Sequence, residues 1–106
     1  MNVLASLKFV GQMLSGAGIK ECDHLREIAV REGGPATCND CVAEGTKWMH
    51  VRMCLSCGYV GCCDTSRRMH MRSHAEHTGH PLARSIERNE SWVWCYPHNR
   101  LVRRRL

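Results

Sequence analysis

The chain has 106 residues, with eight Cys and seven His against a single Phe, and a formal net charge of +5. A chain of this length has room for one small domain with a modest apolar core, so cross-links of some kind have to supply stability that a larger core would otherwise give. No stretch is long and apolar enough to span a bilayer, and the basic balance directs attention to acidic partners, carboxylates or phosphates.

In chain order, Val3, Leu4, Leu7, Val10 and Leu14 recur at helical spacing and predict a short amphipathic helix over 2–15, ending at the Gly16-Ala17-Gly18 hinge. The segment does not read as a secretory leader, because its one early cation, Lys8, lies inside the apolar run rather than before it. Residues 31–46, with Gly33-Gly34-Pro35, read as loop. A strand is expected from Trp48 to Met53, entering a tight turn at Cys54-Leu55-Ser56-Cys57-Gly58. From Ser66 to His77 there is neither Gly nor Pro, Ser66 is placed to cap the start, and Gly79 lies just past the end, which predicts a helix carrying His70 and His74. Strands over Pro81 to Ile86 and Trp92 to Tyr96 complete a small sheet, and Arg103, Arg104 and Arg105 make a basic tail.

Twelve of the fifteen Cys and His residues fall at ligand spacings: Cys22-x-His24, Cys38-x-x-Cys41, Cys54-x-x-Cys57, Cys62, His70, His74, His80 and Cys95-x-x-His98. Two donors two or three residues apart on a tight turn reach one zinc ion without strain, and twelve donors match three tetrahedral ions. A disulfide framework would use the eight Cys but leave the His spacing without purpose. A reducing cytoplasm suits this many thiolates. Spacing alone leaves the grouping open, since His70 and His74, four apart on one helix face, could share an ion. Cys63, His50 and His77 are left over, Cys63 reading as a small packed thiol or an alternative ligand. Saturated four-donor sites have no open coordination position, so no catalytic activity is expected.

The run Cys-x-x-Cys, then Cys54-x-x-Cys57, Cys62, His70-x3-His74-x5-His80-Pro81-Leu82 and Trp94-Cys95-Tyr96 resembles the ubiquitin-specific-protease-type zinc finger, the UBP finger, over about residues 22–101. The resemblance implies an α+β fold in which a short twisted antiparallel sheet packs on one main helix. It divides the chain into an N-terminal helix and hinge at 1–20, the finger at 21–101 and the basic tail at 102–106. It also implies three interleaved zinc sites: Cys38, Cys41, Cys62 and His70; Cys54, Cys57, His74 and His80; and Cys22, His24, Cys95 and His98, where His98 stands in place of a more common Cys. UBP fingers typically capture the free Gly-Gly tail of ubiquitin in a narrow aromatic slot, so the resemblance implies a protein-interaction module with Trp94 and Tyr96 at two pocket positions. Here the pattern departs from the family. Its Gly-Arg after the third thiolate is Cys63-Asp64, Arg52 replaces a pocket Trp, and Leu101 replaces a Tyr. Arg52 is then the residue that would return positive charge to the site. The alternative is binding of nucleic acid or another acidic partner through Arg67, Arg68 and Arg72 on the helix and Arg100, Arg103, Arg104 and Arg105 in the tail. Twelve of the fifteen basic residues are Arg, a bias suggestive of a GC-rich, bacterial-type genome.

Overall fold

The computed structural model describes residues 22–103; the helix predicted over 2–15 and the end of the basic tail lie outside the described residues. A turn of 3-10 helix, Asp23–Glu27, leads into a long extended segment, then helix α1 (Asn39–Glu44), the hairpin β1 (Val51–Cys54) and β2 (Val60–Cys62), and helix α2 (His70–Thr78). Strands β3 (Leu82–Ser85), β4 (Val93–Cys95) and β5 (Arg100–Val102) come last. All five strands form one antiparallel sheet in the order β2-β1-β3-β4-β5.

Pairing register sorts the side chains onto two faces, because residues directly opposite share a face and neighbours along a strand alternate. Val51 is opposite Cys62, and Leu82 opposite Cys95; Met53, Val93 and Val102 project the same way. This face is the apolar core, closed by Leu25, Ile28 and Val30 at one end and by Trp48 and the Cys41 side of α1 at the other. Ala29 and Val30 both donate backbone hydrogen bonds to the Leu55 carbonyl (2.8 and 2.9 Å), which fastens the extended segment there. The opposite face carries Arg52, Cys54, Ala83, Trp94 and Leu101. Helix α2 covers only part of it, burying Met71 against Cys54 and Ala83 with Tyr59 and Tyr96 alongside.

The expected α+β architecture is present, with several local differences. The segment predicted as loop contains α1. The Cys38-x-x-Cys41 turn continues into helix, with Val42 N–H donating to the Cys38 carbonyl, and it stops at Gly45, whose φ of 73° lets its N–H reach back to the Cys41 and Val42 carbonyls. Strand β1 begins at Val51 rather than Trp48, because Met49 N–H is taken by the Ser66 hydroxyl (2.8 Å) and Trp48 packs on the Cys38–Cys41 cluster. Ser66 is therefore buried and occupied, and does not cap α2. That helix starts four residues later, after Met69 at φ 47° and ψ 47°, where the His70 N–H donates to Cys62 Sγ at 3.2 Å. Gly79 ends it as anticipated, at φ 77°. The three-residue strands β2 and β5 are too short to show alternation in the sequence.

Candidate metal centres and the adjoining face

The fold gathers the twelve predicted donors into three sets of four, within each of which the donor atoms lie no more than 4.8 Å apart. The first set is Cys38, Cys41, Cys62 and His70, the second Cys54, Cys57, His74 and His80, and the third Cys22, His24, Cys95 and His98. His70 and His74 thus sit one turn apart on α2 yet serve different sets, which resolves the grouping that spacing left open.

Each set is built by a loop and a regular element. In the first, the α1 turn supplies Cys38 and Cys41, the end of β2 supplies Cys62, and the start of α2 supplies His70. His70 Nδ1 lies 3.3 Å from Cys38 Sγ and 3.4 Å from both Cys41 Sγ and Cys62 Sγ, and the Cys41 and Cys62 sulfurs are 3.8 Å apart. In the second, the β1–β2 turn brings Cys54 and Cys57 to the far end of α2. Cys54 Sγ to His80 Nδ1 is 3.5 Å, Cys57 Sγ to His74 Nε2 is 3.4 Å, and the two histidine nitrogens are 3.4 Å apart. In the third, the start of the 3-10 turn meets the β4–β5 turn. Cys22 Sγ to Cys95 Sγ is 3.6 Å, and both sulfurs lie 3.2 to 3.4 Å from the Nδ1 atoms of His24 and His98.

These spacings fit one ion per set. Four donors held tetrahedrally at zinc bond lengths of about 2.0–2.3 Å are separated by about 3.3–3.8 Å. A disulfide would need sulfurs about 2.05 Å apart, far closer than 3.6 or 3.8 Å. Electrostatics argue the same way. Burial pushes the Cys62 thiol up to about 12 and Cys95 to about 11, and also raises Cys38 and Cys54. A bound divalent metal would favour the thiolate form of these four, whereas Cys41 is already lowered, because hydrogen bonds from Thr46 and its neighbours in the set outweigh its burial. His74 is held below its ordinary value by burial and by neighbouring His80, leaving a neutral imidazole suited to ligation.

Of the leftover residues, Cys63 belongs to no set. Its buried sulfur contacts the Thr65 hydroxyl at 2.8 Å, and the hydrogen bonds of Thr65 and Ser66 outweigh the effect of burial, so its pKa lies below the ordinary thiol value. His50 is exposed beside Glu87, and His77 Nδ1 is occupied by the Ser73 carbonyl. Sequence reasoning missed four supporting residues. Glu44 contacts His70 Nε2 at 3.1 Å, and the Tyr59 ring stacks on His74 at 4.3 Å between centroids while its hydroxyl is bound by Asp40. A Gly45 stop after a Cys-x-x-Cys turn was the signal for the helix carrying Glu44 and Asp40. Trp92 is the fourth.

On the half-open sheet face, the Arg52 guanidinium lies 4.8 Å over the Trp92 ring and donates to the Tyr96 hydroxyl at 3.5 Å. Burial raises the Tyr96 pKa while Arg52 opposes the rise. From the other side, the Arg72 guanidinium lies 5.2 Å over the Tyr96 ring and pairs with Asp64. Tyr96 and Arg72 border a cavity of about 240 Å³ against Pro81 and Pro97. Trp94 lies between Ala83 and Leu101 on the same face, and its Nε1 is buried without a hydrogen-bond partner among the described residues.

Among solved structures, the solution NMR structure of protein RPA1320 from Rhodopseudomonas palustris is similar: 36% identity over 76% of this chain and 78% of that one, with a TM-score of 0.67. No curated protein matches the chain significantly. No helix among the described residues is long and apolar enough to cross a membrane. Residues 38–106 match the family model described as the Zn-finger in ubiquitin-hydrolases and other protein, and the twelve-donor arrangement agrees with it; the chain belongs to this zinc-finger family, zf-UBP.

Proposed function

We propose that the chain binds three zinc ions, one in each four-residue set, and acts as a non-catalytic cytoplasmic module that captures the carboxylate end of a protein tail. Four protein donors per ion leave no position for a reacting water, so the metals serve structure. In a domain this small, metal binding supplies much of the folding free energy.

The observation that carries the tail reading is the bracketing of Tyr96 by two guanidiniums, Arg52 from β1 and Arg72 from α2, on a sheet face that α2 leaves partly open. Asp64 occupies the position at which the family has a cation, but its charge is met by Arg72, and Arg52 remains to face an incoming carboxylate. Trp94 and Tyr96 supply apolar walls against which an extended Gly-rich backbone would lie. A ubiquitin-like Gly-Gly terminus is the tail best matched to family membership.

The nucleic-acid reading draws less support. Of the three arginines expected on the helix, Arg67 and Arg68 precede α2, which starts at His70. Arg72 is paired with Asp64 and Arg68 with Glu44 at 3.0 Å, so of the three only Arg67 has no ion pair among the described residues. The test is calorimetric titration of the zinc-loaded chain with ubiquitin, with ubiquitin lacking its last two glycines, and with a C-terminally amidated tail peptide, at two salt concentrations. Binding to the intact tail alone supports the proposal. Equal binding to all three ligands, or a steep loss with salt, would sink it.

A further inference from the structure

We propose that Glu44 is a positioning residue that orients His70 and makes the first set the most retentive of the three metal sites. The inference rests on reading that set as a zinc site. Five histidines belong to the sets, and each turns one ring nitrogen toward its partners. Among the described residues, His70 alone has a carboxylate on the other nitrogen: Glu44 Oε2 lies 3.1 Å from His70 Nε2. An Nε2–H donating to this carboxylate holds the proton on the outer nitrogen and leaves the Nδ1 lone pair directed at the sulfurs 3.3 to 3.4 Å away. A carboxylate pulling on the N–H also makes the imidazole a stronger donor to metal.

Charge balance supports the role. Three thiolates around a divalent ion leave one net negative charge, to which Glu44 alone would add unfavourably. Its second oxygen is ion-paired with Arg68, whose Nε lies 3.0 Å away, so a cation closes the chain of contacts from Arg68 through Glu44 to His70. Glu44 is also the last residue of the helix that carries Cys41, so ligand and support move as one rigid piece. The His70 side chain is only 11% exposed, whereas the second set has an exposed Cys57 and the third an exposed His98. Water and chelators therefore meet the first set last.

The experiment is metal release from the full zinc-loaded chain to excess chelator, for the wild type and for Glu44→Gln and Glu44→Ala. Cadmium NMR of the exchanged protein assigns the sites, since only the first set has three sulfurs. The slowest phase should belong to the three-sulfur site. It should accelerate about 10- to 100-fold in Glu44→Ala and less in Glu44→Gln, whose amide oxygen keeps the hydrogen bond without the charge. The three-sulfur resonance should shift while the two others stay. Unchanged release and an unshifted resonance in both variants would overturn the role of Glu44. Absence of one three-sulfur and two two-sulfur environments in the wild type would instead overturn the ligand sets themselves.

Discussion

Arg72 donates through both Nε and Nη2 to a single carboxylate oxygen of Asp64, eight residues earlier, tying the loop after β2 to the first turn of α2. The hydrogen bond to Asp64 raises the Arg72 pKa further, and both side chains are about two-thirds buried, at 31% and 28% exposure. Removing one partner leaves the other half-buried and uncompensated. We predict that Asp64→Asn and Arg72→Met each lower stability by about 1–2 kcal/mol, and that the double variant loses less than the sum. Thermal unfolding at fixed free zinc measures this; strict additivity would mean that the pair contributes nothing as a pair.

Replacing Cys41 or His74 with Ala removes one ligand from the first or second set and is predicted to abolish cooperative folding, since each set closes contacts between elements distant in sequence. Native mass spectrometry for zinc content and amide NMR dispersion are the readouts. A dispersed spectrum with full zinc content in either variant would contradict the structural role.

Metal removal and acidification should act alike, because protons compete with metal for thiolate and imidazole. Chelation at neutral pH is expected to unfold the domain reversibly, and the free zinc needed to refold it should rise as the pH falls. Circular dichroism during zinc titrations at several pH values tests both; a fold that persists after complete zinc removal would refute the premise.

At the face proposed to capture a tail, Tyr96→Phe removes the hydroxyl that accepts from Arg52, and Arg52→Ala removes the cation itself. Neither residue belongs to a metal set, so zinc content should remain at the wild-type level. Affinity for a carboxylate-ended tail should fall about two- to tenfold in the first and at least about tenfold in the second. Calorimetry on the same tail peptide decides, and wild-type affinity in Arg52→Ala would move the binding site elsewhere.

Gly61 admits no side chain. A Cβ there would meet the Tyr59 ring at 2.6 Å and the Met71 backbone nitrogen at 3.0 Å, so the β1–β2 hairpin could not approach α2 as it does. Gly61→Ala is predicted to cost about 1–3 kcal/mol and to disturb the stacking of Tyr59 on His74. A thermal midpoint equal to wild type would show that the hairpin yields at little cost.

The clustered donor positions were legible because a Cys-x-x-Cys knuckle is a local pattern: Cys38 and Cys41, or Cys54 and Cys57, announce themselves within four residues. Gly79 likewise marked the end of α2. The start of α2 was not legible, since Ser66 has the chemistry of a cap and only the tertiary fold spends its hydroxyl on Met49. Arg52, Trp92 and Tyr96 come together by strand register, and Asp64 finds Arg72 across a loop, relations with no periodic trace. Glu44 escaped notice because a six-residue helix inside a Gly-rich segment shows too few turns to reveal a face.

Helix α2 hands His70 to one set and His74 to another. Each residue added to a helix rotates the downstream chain by about 100° and advances it about 1.5 Å, so inserting or deleting a single residue between them would swing one imidazole away from its sulfurs. The interval from His70 to His74 is thus a fixed ruler in the chain, intolerant of any change in length. The turn at Arg88 and Asn89, which supplies no ligand to any set, is under no such constraint.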